Sequence, residues 1–338
     1  MAWDKTKIQI DNGEWVDAQS PIIISASRST DIPAFYADWF FHRLEKGYSA
    51  WINPFNGVKS YVSYDQTRFI VFWSKNPRPL LDYIPELEKR RINCYIQFTL
   101  NDYEKENLEK NVPSLSERID TFKKLVDKLG FGSVIWRFEP ILLTDNIGID
   151  DLLYKIEGIG NQLIGYTEKL VFSFADIASY KKVKNNLVHN NINYIEFDED
   201  SMNLFASELA LLNKKWGYTL ATCGEKIDLL KYDIEHNHCV DDKLIAKYFH
   251  HDTALMKFLG VEISQGDLFN PEPQIIFTKN NKDKGQRLFC GCINSKDIGQ
   301  YNTCPHLCEY CYANANKEIA INNWEKHKEN PNNESILG

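Results

Sequence analysis

The stretch RFIVFWSKNPRPLLDYIPELEKRRINCYIQFTL, residues 68–100, holds two nearly continuous runs of β-branched and aromatic residues separated by a polar, amphipathic segment. The runs are RFIVFW at 68–73 and NCYIQFTL at 93–100. A strand that is apolar on both sides is buried on both sides, and such strands alternating with helices form a parallel sheet covered on each face. The alternation continues outward in both directions. Before it lie Pro21–Ala26 (PIIISA) and Ser49–Ile52; after it come Ser133–Phe138 (SVIWRF), Leu170–Phe174 (LVFSF), Asn193–Phe197 and Tyr218–Thr222. Between them run helical patterns such as FYADWFFHRLEKG and SLSERIDTFKKLVDKLG, the second opening on capping residues and closing at Gly130.

Seven or eight such units over roughly 250 residues predict an α/β fold, a (β/α) barrel that is TIM-like, complete or partial, over residues 20–265. A doubly wound open sheet is the alternative. Its dinucleotide fingerprint is missing, because SASRSTD follows the first strand where G-x-G-x-x-G would stand. A Cys-rich segment at 278–316 is expected to pack on the barrel and close over its mouth, and the polar tail at 317–338 is expected to fray.

Composition narrows the function. Of 338 residues, 43% are hydrophobic and 25% charged, which excludes wholesale disorder. The net charge of -8 argues against a protein that lives on bulk nucleic-acid or anionic-membrane electrostatics. No run approaches the length of a membrane span, and the opening MAWDKTKIQIDNGEW lacks the apolar core of a signal peptide, so a cytoplasmic location is expected.

Eight cysteines are the informative feature, and five of them fall within residues 290–311. In a reducing compartment a cluster of this kind holds metal more often than it forms disulfides. In TCPHLCEYCYANAN, Cys304, Cys308 and Cys311 stand at Cys-x3-Cys-x2-Cys spacing with the aromatic Tyr310 before the third. Three thiolates on one short loop suit three irons of a 4Fe-4S cube and leave the fourth iron open. A structural zinc is the alternative, with His306 as a fourth ligand. Cys223, Cys239, Cys290 and Cys292 make a second, tetrathiolate set that suits either a second 4Fe-4S cluster or a zinc. Cys94, inside an apolar strand, reads as packing. His236, His238, His250 and His251 lie in polar stretches and read as unliganded surface residues.

Barrel chemistry sits where strands end. Polar residues at those positions are Arg28, Thr30, Asp31, Asn53, Asn56, Lys75, Asn76, Gln97, Thr99, Arg137, Glu139, Ser173, Asp176, Cys223 and Glu225. Asp31 and Asp176 also read as helix caps. Arg137 reads equally as a partner of Glu139 or Asp176, and Lys75 is expected to be exposed at the mouth.

The spacing at 304–311 resembles the signature of radical S-adenosylmethionine (SAM) enzymes. In those the loop follows the first barrel strand; here it stands near residue 311, where a last segment lying beside the first strand would reach the same place. The segments ISASRSTDIPAFYADWF, NPFN, VFWSKNPRPLL, QFTLNDY, VIWRFEPI, LATCGE and QRLFCGCINSKDIGQYNTCPHLCEYCYAN together resemble an uncharacterised bacterial family, domain of unknown function 1848, from about residue 20 to 316. A more distant resemblance, through the strand-end segment SKNP, is to radical SAM enzymes of the spore photoproduct lyase type. It implies reductive cleavage of SAM to a 5′-deoxyadenosyl radical that abstracts hydrogen from an unassigned substrate, with flavodoxin or ferredoxin as electron donor. If it holds, Lys75 and Asn76 would face the active site; among the strand-end residues Lys75, Arg137 and Glu139 are the catalytic candidates on the radical SAM reading. Tyr310, Tyr312, Arg28, Asn76, Ser173, Asp176 and Glu225 would then hold SAM or substrate. Two other classes remain open: a zinc-stapled binding module without redox chemistry, and a nucleic-acid repair or binding protein that uses some of the abundant aromatic residues for stacking.

Overall fold

The computed structural model describes residues 3–264 and 274–338. The chain opens with the hairpin β1 (Lys5–Gln9) and β2 (Trp15–Gln19), then β3 (Ile23–Ala26), a single helical turn α1 (Ile32–Phe35) and α2 (Ala37–Lys46). The antiparallel pair β4 (Tyr48–Ile52) and β5 (Lys59–Ser63) comes next. Strand and helix then alternate through β6 (Phe69–Ser74), α3 (Ile84–Arg90), β7 (Asn93–Thr99), α4 (Leu115–Leu129), β8 (Val134–Ile141), β9 (Leu143–Thr144), α5 (Ile149–Gly160) and β10 (Lys169–Phe174). The series continues with α6 (Lys181–His189), β11 (Tyr194–Ile195), α7 (Glu199–Asn213), β12 (Thr219–Thr222) and β13 (Ile234–His236). Last come α8 (Asp242–Phe249), α9 (Thr253–Leu259), the pair β14 (Val261–Ser264) and β15 (Gln274–Phe277), β16 (Lys296–Asp297) and α10 (Lys317–Glu329).

Eight strands form one parallel sheet in the order β13-β12-β10-β8-β7-β6-β3-β16. Its edges β13 and β16 are not paired with each other, so among the described residues the barrel is not closed. Two expected strands lie elsewhere. Ser49–Ile52 belongs to β4 of a separate four-stranded sheet, β1-β2-β5-β4, and the run at 193–197 yields only β11, paired with β9. Asn53 and Asn56 therefore turn the β4–β5 hairpin, where they accept from the amides of Phe55 and Val58. The expected boundary at 265 lies outside the described residues.

Side chains alternate across the sheet. One face, with Ile24, Ile70, Phe72, Ile96, Phe98, Trp136, Phe138 and Phe172, packs with buried residues of the helices from α1 to α7. Cys94 lies in this core, as packing requires. On the other face Ile23, Phe69, Val71, Tyr95, Ile135 and Val171 pack against Leu244, Ile245, Leu255, Met256 and Leu259 of α8 and α9. Each aliphatic side chain buried in this way is worth about 1.5–3 kcal/mol, which fixes the register of every strand. Two residues further along the same strands and the same face, the apolar layer gives way to Ser25, Trp73, Gln97, Arg137 and Ser173. That change of polarity makes the site.

The tail at 317–338 does not fray. Trp324 meets the rings of Phe35 and Tyr36, Trp39 Nε1 donates to Asn333 O at 2.8 Å, and Ile336 is buried. Glu334 accepts from Tyr48 OH and Lys59 Nζ, tying the tail to the small sheet. Ala320, Ile336 and the buried polar residues His327 and Ser335 anchor a segment most of whose other residues are exposed.

Candidate metal centres

The three-cysteine loop is held by residues at the C-terminal ends of β3, β6 and β7. Asp31, just after β3, caps α1 by accepting from Ala34 N at 3.0 Å, as its sequence position suggested. It also accepts from Ser74 Oγ (2.7 Å), Lys75 N (2.7 Å) and His306 Nε2 (2.8 Å). Burial alone would raise this carboxyl; the donors, His306 first, hold it below the usual carboxylate range. The other ring nitrogen of His306, Nδ1, lies 3.2 Å from Asn111 O. Tyr36 OH donates to Thr303 O at 2.5 Å, next to Cys304.

A second clamp grips the middle of the loop. Lys75 Nζ donates to Glu109 Oε1 at 2.7 Å and to Tyr310 OH at 2.9 Å, while Tyr310 OH also donates to Glu109. Asn101 Nδ2 reaches Glu109 (3.1 Å), Tyr310 OH (3.1 Å) and Glu139 O (2.9 Å). Arg118 Nη1 stands 3.6 Å from Glu109 Oε2, an ion pair too long for a hydrogen bond. Lys75 is thus not the exposed mouth residue that its strand-end position suggested: the Glu109 carboxylate draws it inward, and its charge bears on Cys308. Burial nonetheless pushes the Cys308 thiol well up. Cys304 and Cys311 are partly exposed and Cys308 is buried.

The second set converges. Cys223 follows β12, Cys239 follows β13, and Cys290 and Cys292 flank Gly291; Cys223 Sγ lies 3.3 Å from Cys239 Sγ. Cys292 in turn contacts both Cys239 and Cys290. Arg137 Nη1 and Asn237 Nδ2 donate to Cys239 Sγ at 3.2 and 3.1 Å, and the amides of Cys239 and Val240 donate to Cys292 Sγ at 3.2 and 3.4 Å. Bonds from Cys223 and Cys292, with the Arg137 charge, outweigh burial and hold the Cys239 thiol well below the ordinary thiol range. Gly291 permits a close approach, since a Cβ there would come 2.1 Å from His238 Cδ2.

The polar rim gathers several of the candidates from the sequence. Arg137 pairs with Glu139 through two bonds, one at 2.6 Å, and Ser173 Oγ lies 3.5 Å from Glu139 Oε2. Arg28 and Arg137 both lie over the Trp73 ring, 5.0 and 5.3 Å from its centroid. Glu225 accepts from Phe174 N at 3.0 Å, and burial pushes its carboxyl up to about 7. Asp176 caps no helix; it accepts from Ser179 N in the turn before α6. Asn76 donates its amide to Ser74 Oγ. Tyr312 OH donates to Arg28 O at 2.6 Å and joins the two halves of the rim, whereas the Tyr310 side chain is buried in the Lys75 clamp. Glu109, Asn101, Trp73 and Asp297 were not legible as site residues. Asp297 accepts from Ser27 Oγ (2.8 Å) and Arg28 N (2.9 Å), which brings the Cys-rich segment onto β3.

His238 departs from the surface reading, since with Asp241 and Asp242 it forms a trio of ligand atoms within 4.8 Å of one another. Both carboxylates already have partners: Asp241 caps α8 and lies 3.6 Å from Lys169, and Asp242 accepts from Asn281.

No helix is long and apolar enough to cross a membrane, among the residues described. No curated protein and no solved structure matches the chain. A family model described as "Domain of unknown function (DUF1848)" matches residues 23–313, from the first strand of the large sheet through the three-cysteine loop, and by that span the chain belongs to the DUF1848 family.

Proposed function

We propose that the chain is a radical SAM-type iron–sulfur enzyme acting on an unassigned substrate, its large sheet forming the wall of a partial (β/α) barrel with the cysteine loop over the mouth. The observation that carries the reading is His306. A zinc at Cys304, Cys308 and Cys311 needs a fourth ligand, and His306 is the nearest in sequence. Both of its ring nitrogens face other acceptors, Asp31 Oδ2 and Asn111 O. Three thiols without that fourth ligand fit a 4Fe-4S cluster with one open iron. When bound, such a cluster supplies an iron that chelates SAM and one electron for its reductive cleavage.

The chain's own residues do the rest. Lys75 sets a positive charge beside Cys308, which favours its thiolate. Asp31 after β3, Tyr36 between α1 and α2, and Glu109 in the segment after β7 fix the loop. Arg28, Arg137, Glu139, Ser173 and Glu225 offer a substrate both signs of charge along one rim. Leu244, Ile245 and Leu255 seal the same face behind that rim, which keeps water from the reacting groups.

Anaerobic reconstitution with iron and sulfide, followed by SAM and dithionite, tests the reading. A brown protein that releases 5′-deoxyadenosine and methionine is expected, with release lost in C304A, C308A and C311A. Absence of SAM cleavage in the reconstituted wild type, or one zinc bound by these three cysteines, overturns it.

A further inference from the structure

We infer that Cys223 and Cys239 are a reversible dithiol–disulfide pair whose redox state is felt by Arg137 at the rim. The pair stands apart from the three-cysteine loop and does not depend on the reading given to that loop. Intracellular disulfides are mostly transient bonds of this kind, made and broken in catalysis or redox sensing.

Strand register brings the two thiols together. β12 and β13 are parallel neighbours with Thr222 opposite His236, so Cys223 leaves the end of one strand and Cys239 follows the end of the other. Asn237 N donates to Thr222 O at 2.8 Å, and Cys223 N donates to Phe172 O of β10 at 2.8 Å, which carries the ladder on to the segments that bear the thiols. Cys223 Sγ and Cys239 Sγ are 3.3 Å apart. Two thiolates on one tetrahedral zinc, each about 2.3 Å from the ion, stand about 3.8 Å apart, so this contact is closer than a shared ion sets. A disulfide needs about 2.05 Å, an approach of about 1.2 Å that lies within reach of side-chain rotation.

Exposure gives the two sulfurs different parts. Cys223 is partly exposed and Cys239 is buried, so an oxidant meets Cys223 first. Arg137 Nη1 and Asn237 Nδ2 donate to Cys239 Sγ at 3.2 and 3.1 Å, and such donors favour a thiolate. With a low-molecular-weight disulfide, RSSR, as oxidant, the Cys223 thiolate attacks one of its sulfurs and expels RS⁻. The Cys239 thiolate then attacks Cys223 Sγ, forms the internal bond and expels the second RS⁻. The two protein thiols give up two electrons and two protons, and RSSR is reduced to two RSH. A disulfide carries no negative charge, so on oxidation Arg137 loses its sulfur acceptor and keeps Gln97 and Glu139.

The test holds the full wild-type chain, without oxygen, in glutathione buffers of graded oxidised-to-reduced ratio. Thiols are trapped by acid and alkylated, and the peptides are mapped by mass spectrometry without reduction. A Cys223–Cys239 cross-link that appears as the ratio rises and disappears as it falls is expected. Both residues still alkylated at the most oxidising ratio, a Cys290–Cys292 link in place of theirs, or a metal that holds both thiols through the titration overturns the inference. This map needs no variant, so misfolding cannot imitate either result, and SAM cleavage by the reconstituted wild type judges the three-cysteine loop separately. Cys239→Ser should leave Cys223 as a mixed disulfide with glutathione, and an unmodified Cys223 in that variant overturns the order of attack. Arg137→Met should cross-link at a more reducing ratio than wild type, because the cation that favours the thiolate is gone; an unchanged ratio overturns the part given to Arg137.

Discussion

Glu109→Gln perturbs the clamp of the three-cysteine loop with almost no change of shape. The wild-type carboxylate faces Lys75 at 2.7 Å and Arg118 at 3.6 Å, all in the interior. Removing one partner of a buried ion pair costs about 3–5 kcal/mol, because the remaining cations keep their desolvation penalty. A second route gives a similar figure. Burial would raise the Glu109 carboxyl, but Lys75 and Arg118 together bring it from 4.5 down to about 2, a linkage on the order of 3 kcal/mol. A carboxyl whose folded pKa is depressed stabilises the fold above its unfolded pKa and loses that contribution as pH falls through the folded one. Denaturant unfolding of wild type and variant, followed by tryptophan fluorescence, should therefore show a gap of about 3–5 kcal/mol at pH 7 that narrows as pH falls from about 4.5 toward 2. A gap under about 1 kcal/mol at pH 7, the worth of a surface pair, refutes the clamp. So does a gap that is constant with pH.

Gly291→Ala places a methyl 2.1 Å from His238 Cδ2; it should displace the Cys290–Cys292 turn and cost about 1–3 kcal/mol in thermal unfolding, whereas His238→Ala in the same background should recover much of it. Ile336→Ala should cost about 2–5 kcal/mol, because Ile336 is buried, and limited proteolysis should then release the segment after α10; a wild-type cleavage pattern would mean that the tail docks through Glu334 and Asn333 alone. Asp31→Asn weakens the carboxylate that holds His306, Ser74 and Lys75, so the reconstituted variant should lose iron at the three-cysteine loop faster than wild type under a ferrous chelator.

The large sheet was legible because its strands carry long apolar runs, and RFIVFW, NCYIQFTL and SVIWRF all fall where such runs must lie. Asn193–Phe197 misled, since a short β-branched run is not sufficient evidence of a central strand; Tyr194 and Ile195 pair only with β9. β13 and β16 are three and two residues long and carry no periodicity to read. Both cysteine sets were legible from spacing and count. Glu109 was not, because DYEKENLEKN reads as a solvated loop and its burial comes from its convergence with Lys75, Arg118 and, about two hundred residues away in sequence, Tyr310. The same contact explains the misreading of Lys75: a strand-end lysine stays in water unless a distant carboxylate takes it.

β16 pairs with β3 through Lys296↔Ile24 and Asp297↔Ser25, and the loop that begins at Cys304 rests on Asp31. During synthesis the nascent chain therefore carries the cradle for the three-cysteine loop from its first strands, but the loop itself emerges some 270 residues later. Contacts of such long sequence separation close late, after the intervening helices and strands have docked. On the proposed reading, metal loading is accordingly a post-translational event on a nearly finished fold, and a ribosome that stalls before residue 304 releases a chain without the three-cysteine loop.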